Sequence, residues 1–176
     1  YETFYRQTPG RWDADDGAIC QMINKYKSAP GRILDVGCGN GHTLAKMQEV
    51  FPKARLYGLD LSREALRLAS DQVSNGIFEQ SFIEQYEPGI RFGVITVVGV
   101  AEHFIGLEEG LRCVARLLAK GGICYLESPN NLVYSPGAHI YRRLESGSGQ
   151  MEWHLERDEW EQVISKAGLE ILEAIY

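Results

Sequence analysis

The sequence predicts an α/β fold: a doubly wound, mostly parallel sheet with helices on both faces. Two observations carry that expectation. Phe92–Val98 and residues 123–126 are nearly unbroken apolar runs, the composition of strands buried on both faces of a parallel sheet. Short runs of this kind alternate with stretches whose apolar residues recur at helical spacing, and regular β–α alternation implies right-handed crossovers onto one sheet. The 176 residues, 44% of them hydrophobic and 24% charged, suffice for one domain and hardly for two.

The elements follow in chain order. Ile19, Met22, Ile23 and Tyr26 share one helical stripe behind caps offered by Asp15 or Asp16, and predict the first helix. Strands are predicted over 32–36 and 55–59, with a helix opening directly after Gly41 between them. Ser62 caps a helix whose stripe includes Leu66, Ala69 and Val73. A weaker strand over 77–81 precedes the one over 92–98. Leu107, Leu111, Val114, Ala115 and Leu118 make the next stripe, stopped by Gly121-Gly122, and a strand over 123–127 follows. Trp160, Val163, Ile164 and Ala167 make the last helix, which Gly168 ends before a sixth strand over 169–175. Ser146-Gly147-Ser148-Gly149 suits a mobile loop and is too short for a domain linker. The organisation expected is an N-terminal cap segment and first helix over 1–30, then a ligand-binding domain over 31–176. Within that domain, residues 130–156 are expected either as a lid insertion or as a solvated connection.

Eighteen basic and twenty-four acidic side chains leave a net charge of −6, which speaks against a nucleic-acid coat or a polybasic membrane binder. No apolar run approaches the roughly 18–20 residues of a membrane span, and none at the N-terminus resembles a signal peptide. Cys20, Cys38, Cys113 and Cys124 are widely spaced, with no C-x-x-C and no paired histidines. Reduced thiols in a cytoplasmic protein, without a metal site or a disulfide framework, are the expectation.

The stretch that carries chemistry is Ile33-Leu34-Asp35-Val36-Gly37-Cys38-Gly39-Asn40-Gly41, a buried strand entering three alternating glycines with a helix directly after. Glycines permit positive φ and close backbone approach, and the helix start adds free N–H groups. By itself such a loop is either a ligand cradle or a turn. Leu56-Tyr57-Gly58-Leu59-Asp60 then ends a second strand in a carboxylate nineteen residues beyond Gly41. In a doubly wound sheet that carboxylate lies at the crevice mouth, where it accepts both hydroxyls of a ribose; otherwise it is a cap or turn residue. A dinucleotide fingerprint needs Gly or Ala where His42 stands, and a Walker loop needs Gly-Lys-Ser/Thr. Asp35 would repel a pyrophosphate, yet it can orient the loop or, through water, an ammonium group. An adenosine bearing a positive, amino-acid-like group fits these features, and S-adenosylmethionine is such a ligand.

Asp35-Val-Gly37-Cys-Gly39-Asn-Gly41 resembles the glycine motif of class I S-adenosylmethionine-dependent methyltransferases, and Asp60 matches their ribose-binding acid. Val100-Ala-Glu102-His103-Phe104 resembles the segment after the fourth strand in the small-molecule branch that includes ubiquinone-type O-methyltransferases. Leu117-Leu-Ala-Lys-Gly121-Gly122-Ile with Glu127-Ser-Pro129-Asn130 is similar to that branch's turn and fifth strand. Trp153-His154 and the helix ending Ala167-Gly168-Leu169 are similar to its last helix and sixth strand. The resemblance spans residues 31–175 and implies a Rossmann-like fold that moves a methyl group to a small-molecule acceptor. It implies cofactor contacts from Asp35, Gly37, Gly39, Gly41, Asp60, Leu61, Ser81, Phe82 and Val98. Three departures stand out. The pair facing adenine, commonly Gly-Asp, is Gln80-Ser81, and the usual Phe-Asp opening of the fourth strand is Phe92-Gly93, a loss expected to weaken stability. The seventh, antiparallel strand that the resemblance implies has no counterpart before Tyr176.

Methyl transfer needs an acceptor held in line with the sulfonium methyl, and a base when the acceptor is a hydroxyl. His103, after the fourth strand, is the candidate base, or else a helix-initiating or supporting histidine; Glu102 is expected to be a cofactor-loop or structural acid. Tyr134, His139 and His154 lie in the 130–156 segment, which is either a substrate-facing lid or a solvated connection. Tyr5, with Tyr1, Phe4, Trp12, Arg6 and Arg11, either folds over the cofactor or forms a tail. Two rival functions remain: a non-catalytic binder of S-adenosylmethionine or S-adenosylhomocysteine, and a methyltransferase acting on protein or RNA. No nucleic-acid partner is expected.

Overall fold

Each predicted strand up to residue 127 finds a parallel neighbour in one five-stranded sheet. The computed structural model describes residues 15–128, 142–145 and 151–175. In chain order the elements are α1 (Asp16–Tyr26), β1 (Arg32–Val36), α2 (His42–Val50), β2 (Arg55–Asp60), α3 (Arg63–Gln72), β3 (Ile77–Gln80), β4 (Phe92–Val98), α4 (Leu107–Leu117), β5 (Leu118–Glu127), β6 (Arg142–Glu145), β7 (Met151–His154) and α5 (Arg157–Lys166). The strand order is β3-β2-β1-β4-β5, parallel at every pairing. The chain winds outward from β1 through β3, then returns to place β4 on β1's other side. This reversal leaves a crevice at the carboxyl ends of β1 and β4.

The two faces of the sheet bury two separate cores. Leu34, Val36, Ile95 and Val97 point to one face and pack with Leu111 and Val114 of α4 and Trp160 and Val163 of α5. Ile33 and Val94 point to the other and pack with Ile19 and Ile23 of α1 and Leu44 and Met47 of α2. Alternation along each strand is thus apolar on both sides, which is why these strands read as continuous runs. The predicted caps hold. Asp15 Oδ1 accepts from the Ala18 N–H at 3.0 Å, and Ser62 Oγ accepts from the Ala65 N–H at 3.1 Å. A reciprocal capping box between Glu156 and Glu159, which the sequence reading missed, starts α5.

Two boundaries differ from expectation. Gly121-Gly122 do not stop α4, which ends at Leu117; Leu118 already pairs with Phe92 in β5. Residues 119–122 bulge between that pair and the next, Val94↔Ile123. Gly121 has φ +67°, and a Cβ on Gly122 would lie 2.9 Å from the carbonyl oxygens of both Ala119 and Phe92. The glycines therefore serve a turn inside the strand.

The predicted sixth strand does not form. Residues 169–175 are irregular, with Leu172 60% and Ile175 76% exposed. A largely apolar segment makes a strand only where a neighbour takes its backbone hydrogen bonds, and no neighbour pairs with this segment among the described residues. It is tied instead to the end of α1, where Lys25 Nζ and Tyr26 Oη donate to Glu173 Oε2 at 2.8 and 2.7 Å.

Within the segment expected to be a lid, β6 and β7 pair as an antiparallel hairpin from Arg142↔His154 to Glu145↔Met151. The sequence reading predicted no strands there. Ser146–Gly149 and the remainder of 129–150 outside β6 fall beyond the described residues.

Gly93, expected to mark a lost stabilising acid, has a positive reason to be glycine. A Cβ there would sit 2.0 Å from the carbonyl oxygen of Pro30, in the segment leading from α1 into β1. Restoring the acid with Gly93→Asp is therefore expected to lower the unfolding free energy by about 1–3 kcal/mol or more, the range for overpacking. Urea denaturation measures it. A midpoint at or above that of the wild type would show that the chain crossing has room for a side chain.

Candidate active site

The site grows from the turn between β1 and α2. Gly37 has φ +71°, and a Cβ on it would lie 2.3 Å from a methyl of Val100, in the connection leaving β4. Gly41 caps α2 in a left-handed conformation, with Ala69 of α3 where its Cβ would be, at 2.8 Å. These two glycines are thus demanded by packing and backbone conformation, whatever lies against the loop. The loop is tied to the end of β2 at two points: the Cys38 N–H donates to the Leu59 carbonyl at 2.8 Å, and the Gly39 N–H donates to Asp60 Oδ2 at 2.9 Å.

Asp60 therefore does more than end a strand. Its other oxygen, Oδ1, accepts from the Ser62 N–H at 2.8 Å. One carboxylate thus braces both the glycine loop and the start of α3. Burial pushes its pKa up, and the backbone N–H groups of Ser62, Gly39 and Leu61 oppose that rise.

Asp35 lies deeper, 4% exposed, and pairs in register with Thr96 of β4, which is fully buried. The Thr96 hydroxyl donates to Asp35 Oδ1 at 2.6 Å. Burial pushes the Asp35 carboxyl up to about 7; the Thr96 hydrogen bond opposes the rise, and the charges of Asp16 and Asp60 add to it. The Cys38 thiol is buried and its pKa is raised well above the ordinary range by the same loss of solvent, so it is no nucleophile.

Along the adjoining rim, Asp60 and Gln80 are register partners, which puts Leu61 and Phe82 near neighbouring strand ends; each is 38% exposed. Gln80 braces the rim: its amide donates to the Leu61 carbonyl at 2.7 Å, and its oxygen accepts from Arg63 Nε at 2.9 Å. Ser81 Oγ donates to the Phe82 carbonyl at 3.0 Å.

At the exit of β4, Val98 is half-buried and pairs with Glu127. Ala101–His103 form one 3-10 turn. Glu102 is buried and accepts from Ser128 Oγ at 3.2 Å, bracing the exits of β4 and β5, as a structural acid would. His103 is half-buried on the same turn, and its N–H donates to the Val100 carbonyl at 2.9 Å. Because Val100 also fills the space over Gly37, the turn bearing His103 is packed directly on the glycine loop. Trp153 of β7 donates its indole N–H to the Phe104 carbonyl at 2.7 Å and so fastens the hairpin to this turn.

The structure thus joins Asp35, Gly37, Gly39, Gly41 and Asp60 in one connected unit, with Leu61, Ser81 and Phe82 on its rim and Val98 and His103 at the β4 exit. His154 stands on β7 opposite Arg142. Tyr5, Tyr134 and His139 lie outside the described residues. Thr96 has no role legible in the sequence, and Val100, Gln80 and Ser128, though they fall within recognisable segments, take their bracing roles only from contacts across elements. Among the described residues, no group of three or more His, Cys, Asp or Glu is placed to hold a metal ion. No helix among them is long and apolar enough to cross a membrane.

Comparison with known proteins places residues 12–174 within the family described as "Methyltransferase domain". Trans-aconitate 2-methyltransferase of Acidovorax sp. (strain JS42) is 32% identical over 120 residues, covering 68% of this chain and 46% of that protein. The ubiquinone biosynthesis O-methyltransferase of Brucella anthropi is 22% identical over 173 residues, 89% of this chain and 69% of that one. Among solved structures, the S-adenosylmethionine-bound amino pentose methyltransferase of Micromonospora echinaspora superposes with a TM-score of 0.71 at 20% identity, covering 96% of this chain and 87% of that one. The chain spans less than half the length of the trans-aconitate methyltransferases it matches.

Proposed function

The chain belongs to the methyltransferase-domain family, and from that premise we propose that it transfers a methyl group from S-adenosylmethionine to a small-molecule acceptor, leaving S-adenosylhomocysteine. The observation that carries this reading is the Asp35–glycine loop–Asp60 unit. Two carboxylates, one of them deeply buried, stand on either side of a loop with a helix start behind it. A pyrophosphate there would meet like charge on both sides, whereas an ammonium and a sulfonium bring the charge that this ground lacks.

The residues present fit the cofactor. Asp60 brings a carboxylate to the end of β2 for the ribose, and Leu61 and Phe82 offer apolar surface for a flat adenine. Asp35 supplies negative charge for the amino-acid end. Bound S-adenosylmethionine contributes the electrophilic methyl; the protein contributes position and exclusion of water. His103 is the group we assign to accept a proton from the acceptor. The acceptor kind, a small molecule, draws support from relatives named for trans-aconitate, a ubiquinone precursor pathway and an amino deoxysugar nucleotide. We assign residues 130–156, with the β6–β7 hairpin, to the acceptor side as a lid. A cytoplasmic setting suits four cysteines that are all unpaired.

Titration calorimetry tests the reading: S-adenosylhomocysteine is expected to bind and NAD is not. Binding of NAD without S-adenosylhomocysteine would overturn it. Binding with no transfer across a broad acceptor panel would favour a non-catalytic binder, the alternative suggested by Gln80-Ser81 at the adenine end.

A further inference from the structure

We propose that Thr96 is a positioning residue: its hydroxyl holds the buried Asp35 as a carboxylate beneath the glycine loop, so that ligands bearing an ammonium group bind when Asp35 is ionised and are released when it is protonated. The proposal rests on the S-adenosylmethionine reading above and goes beyond it.

The geometry is specific. Thr96 and Asp35 are directly opposed on the two central strands, where neither side chain has solvent to turn to. A threonine hydroxyl has one proton to donate. Its contact with Asp35 Oδ1 is 2.6 Å, while the Leu34 carbonyl is 3.4 Å away, so the proton goes to the carboxylate. Among the described residues, the other titratable groups that act on Asp35 work against ionisation. Asp16 from α1 and Asp60 from β2 repel a second negative charge. Asp16 is itself engaged by Thr43 Oγ1 at 2.7 Å and by His42 Nε2 at 3.4 Å. The Cys38 thiol faces Asp35 from the loop and, being neutral, brings no positive charge. The Thr96 hydroxyl is therefore the group that favours the charged form.

The sign follows. The carboxyl of Asp35 is raised to about 7, so its ionised fraction grows as pH rises through neutrality. Ammonium binding that needs the ion should then be about tenfold weaker near pH 6 than near pH 8.5. Thr96→Val keeps the shape and removes the donor; Thr96→Ser keeps the donor. Two measurements test this: the carboxyl carbon shift of Asp35 followed by NMR titration of the cofactor-free protein, and S-adenosylhomocysteine affinity against pH by calorimetry. In Thr96→Val both midpoints are expected to move up by about one unit or more, the effect of a lost hydrogen bond to a charged group, and Thr96→Ser is expected to restore them. Unchanged midpoints in Thr96→Val, or a wild-type affinity that is flat from about pH 6 to about pH 8.5, would overturn the proposal and leave the cofactor reading standing. Absence of S-adenosylhomocysteine binding to the wild type at every pH would overturn the cofactor reading, and the ligand-release half of the proposal with it. The carboxyl titration still decides whether Thr96 holds Asp35 ionised.

Discussion

Replacing Asp60 by alanine is expected to weaken S-adenosylhomocysteine binding by about 1.5–3 kcal/mol, the worth of a hydrogen bond to a charged group, or roughly 10- to 150-fold in affinity. The structure adds a second consequence. The carboxylate also accepts from Gly39 and Ser62, and its removal leaves two buried N–H groups without their partner. Each such orphan costs about 1–3 kcal/mol, offset in part because a desolvated charge disappears as well. A fall of about 2 kcal/mol in unfolding free energy should therefore accompany the loss of binding. Calorimetry and urea denaturation on the same variant separate the two. Unchanged affinity in a folded Asp60→Ala protein would reduce Asp60 to a brace for the loop. Loss of affinity with unchanged stability would mean that water replaces the carboxylate at Gly39 and Ser62.

What could be seen in the sequence was local, and what could not was contact between elements. Unbroken apolar runs, helical stripes, cap residues and a glycine run after a strand are properties of neighbouring residues, and they located β1 through β5 and five helices. They could not say why a given glycine is glycine. Gly37 meets Val100 and Gly93 meets Pro30, both brought close only by the sheet order. The segment 169–175 misled for the same reason: an apolar segment after a helix end is suited to pairing, and no sequence rule supplies the partner. Thr96 illustrates the opposite failure. It sits in an apolar run as one tolerated polar residue, and its meaning appears only when β4 lies against β1 and the hydroxyl meets Asp35.

The same placement explains a tension built into the site. The folded-state pKa of Asp35, about 7, stands above the ordinary aspartate value of 3.8. Between those values the folded protein holds a proton that the unfolded chain has lost. Stability from this group is thus present at low pH and declines as pH rises toward 7. A ligand that brings positive charge to the ionised carboxylate offsets that decline, and does so by binding the native state alone. The charge that makes the empty site costly is the charge that selects its ligand.

The largest effect on turnover is expected at His103. It stands on the turn packed over the glycine loop, one residue beyond buried Glu102, and the hairpin is fastened to the next residue through Trp153 and the Phe104 carbonyl. Its position at the β4 exit thus borders the loop on one side and the β6–β7 hairpin on the other. A hydroxyl acceptor must lose its proton as the methyl transfers, and the imidazole there is the group assigned to take it. His103→Gln keeps a polar side chain of similar reach but cannot hold the proton. The turnover number should fall about 10²- to 10⁴-fold, the range for loss of a general base, while S-adenosylhomocysteine affinity stays near the wild-type value. Because the turn rests on Gly37 through Val100, a merely structural role would instead loosen the loop and weaken cofactor binding, with turnover at saturation little changed. Measuring kcat and cofactor affinity together decides between the two: turnover within about twofold of wild type would remove His103 from the chemistry and point to an acceptor that needs no base.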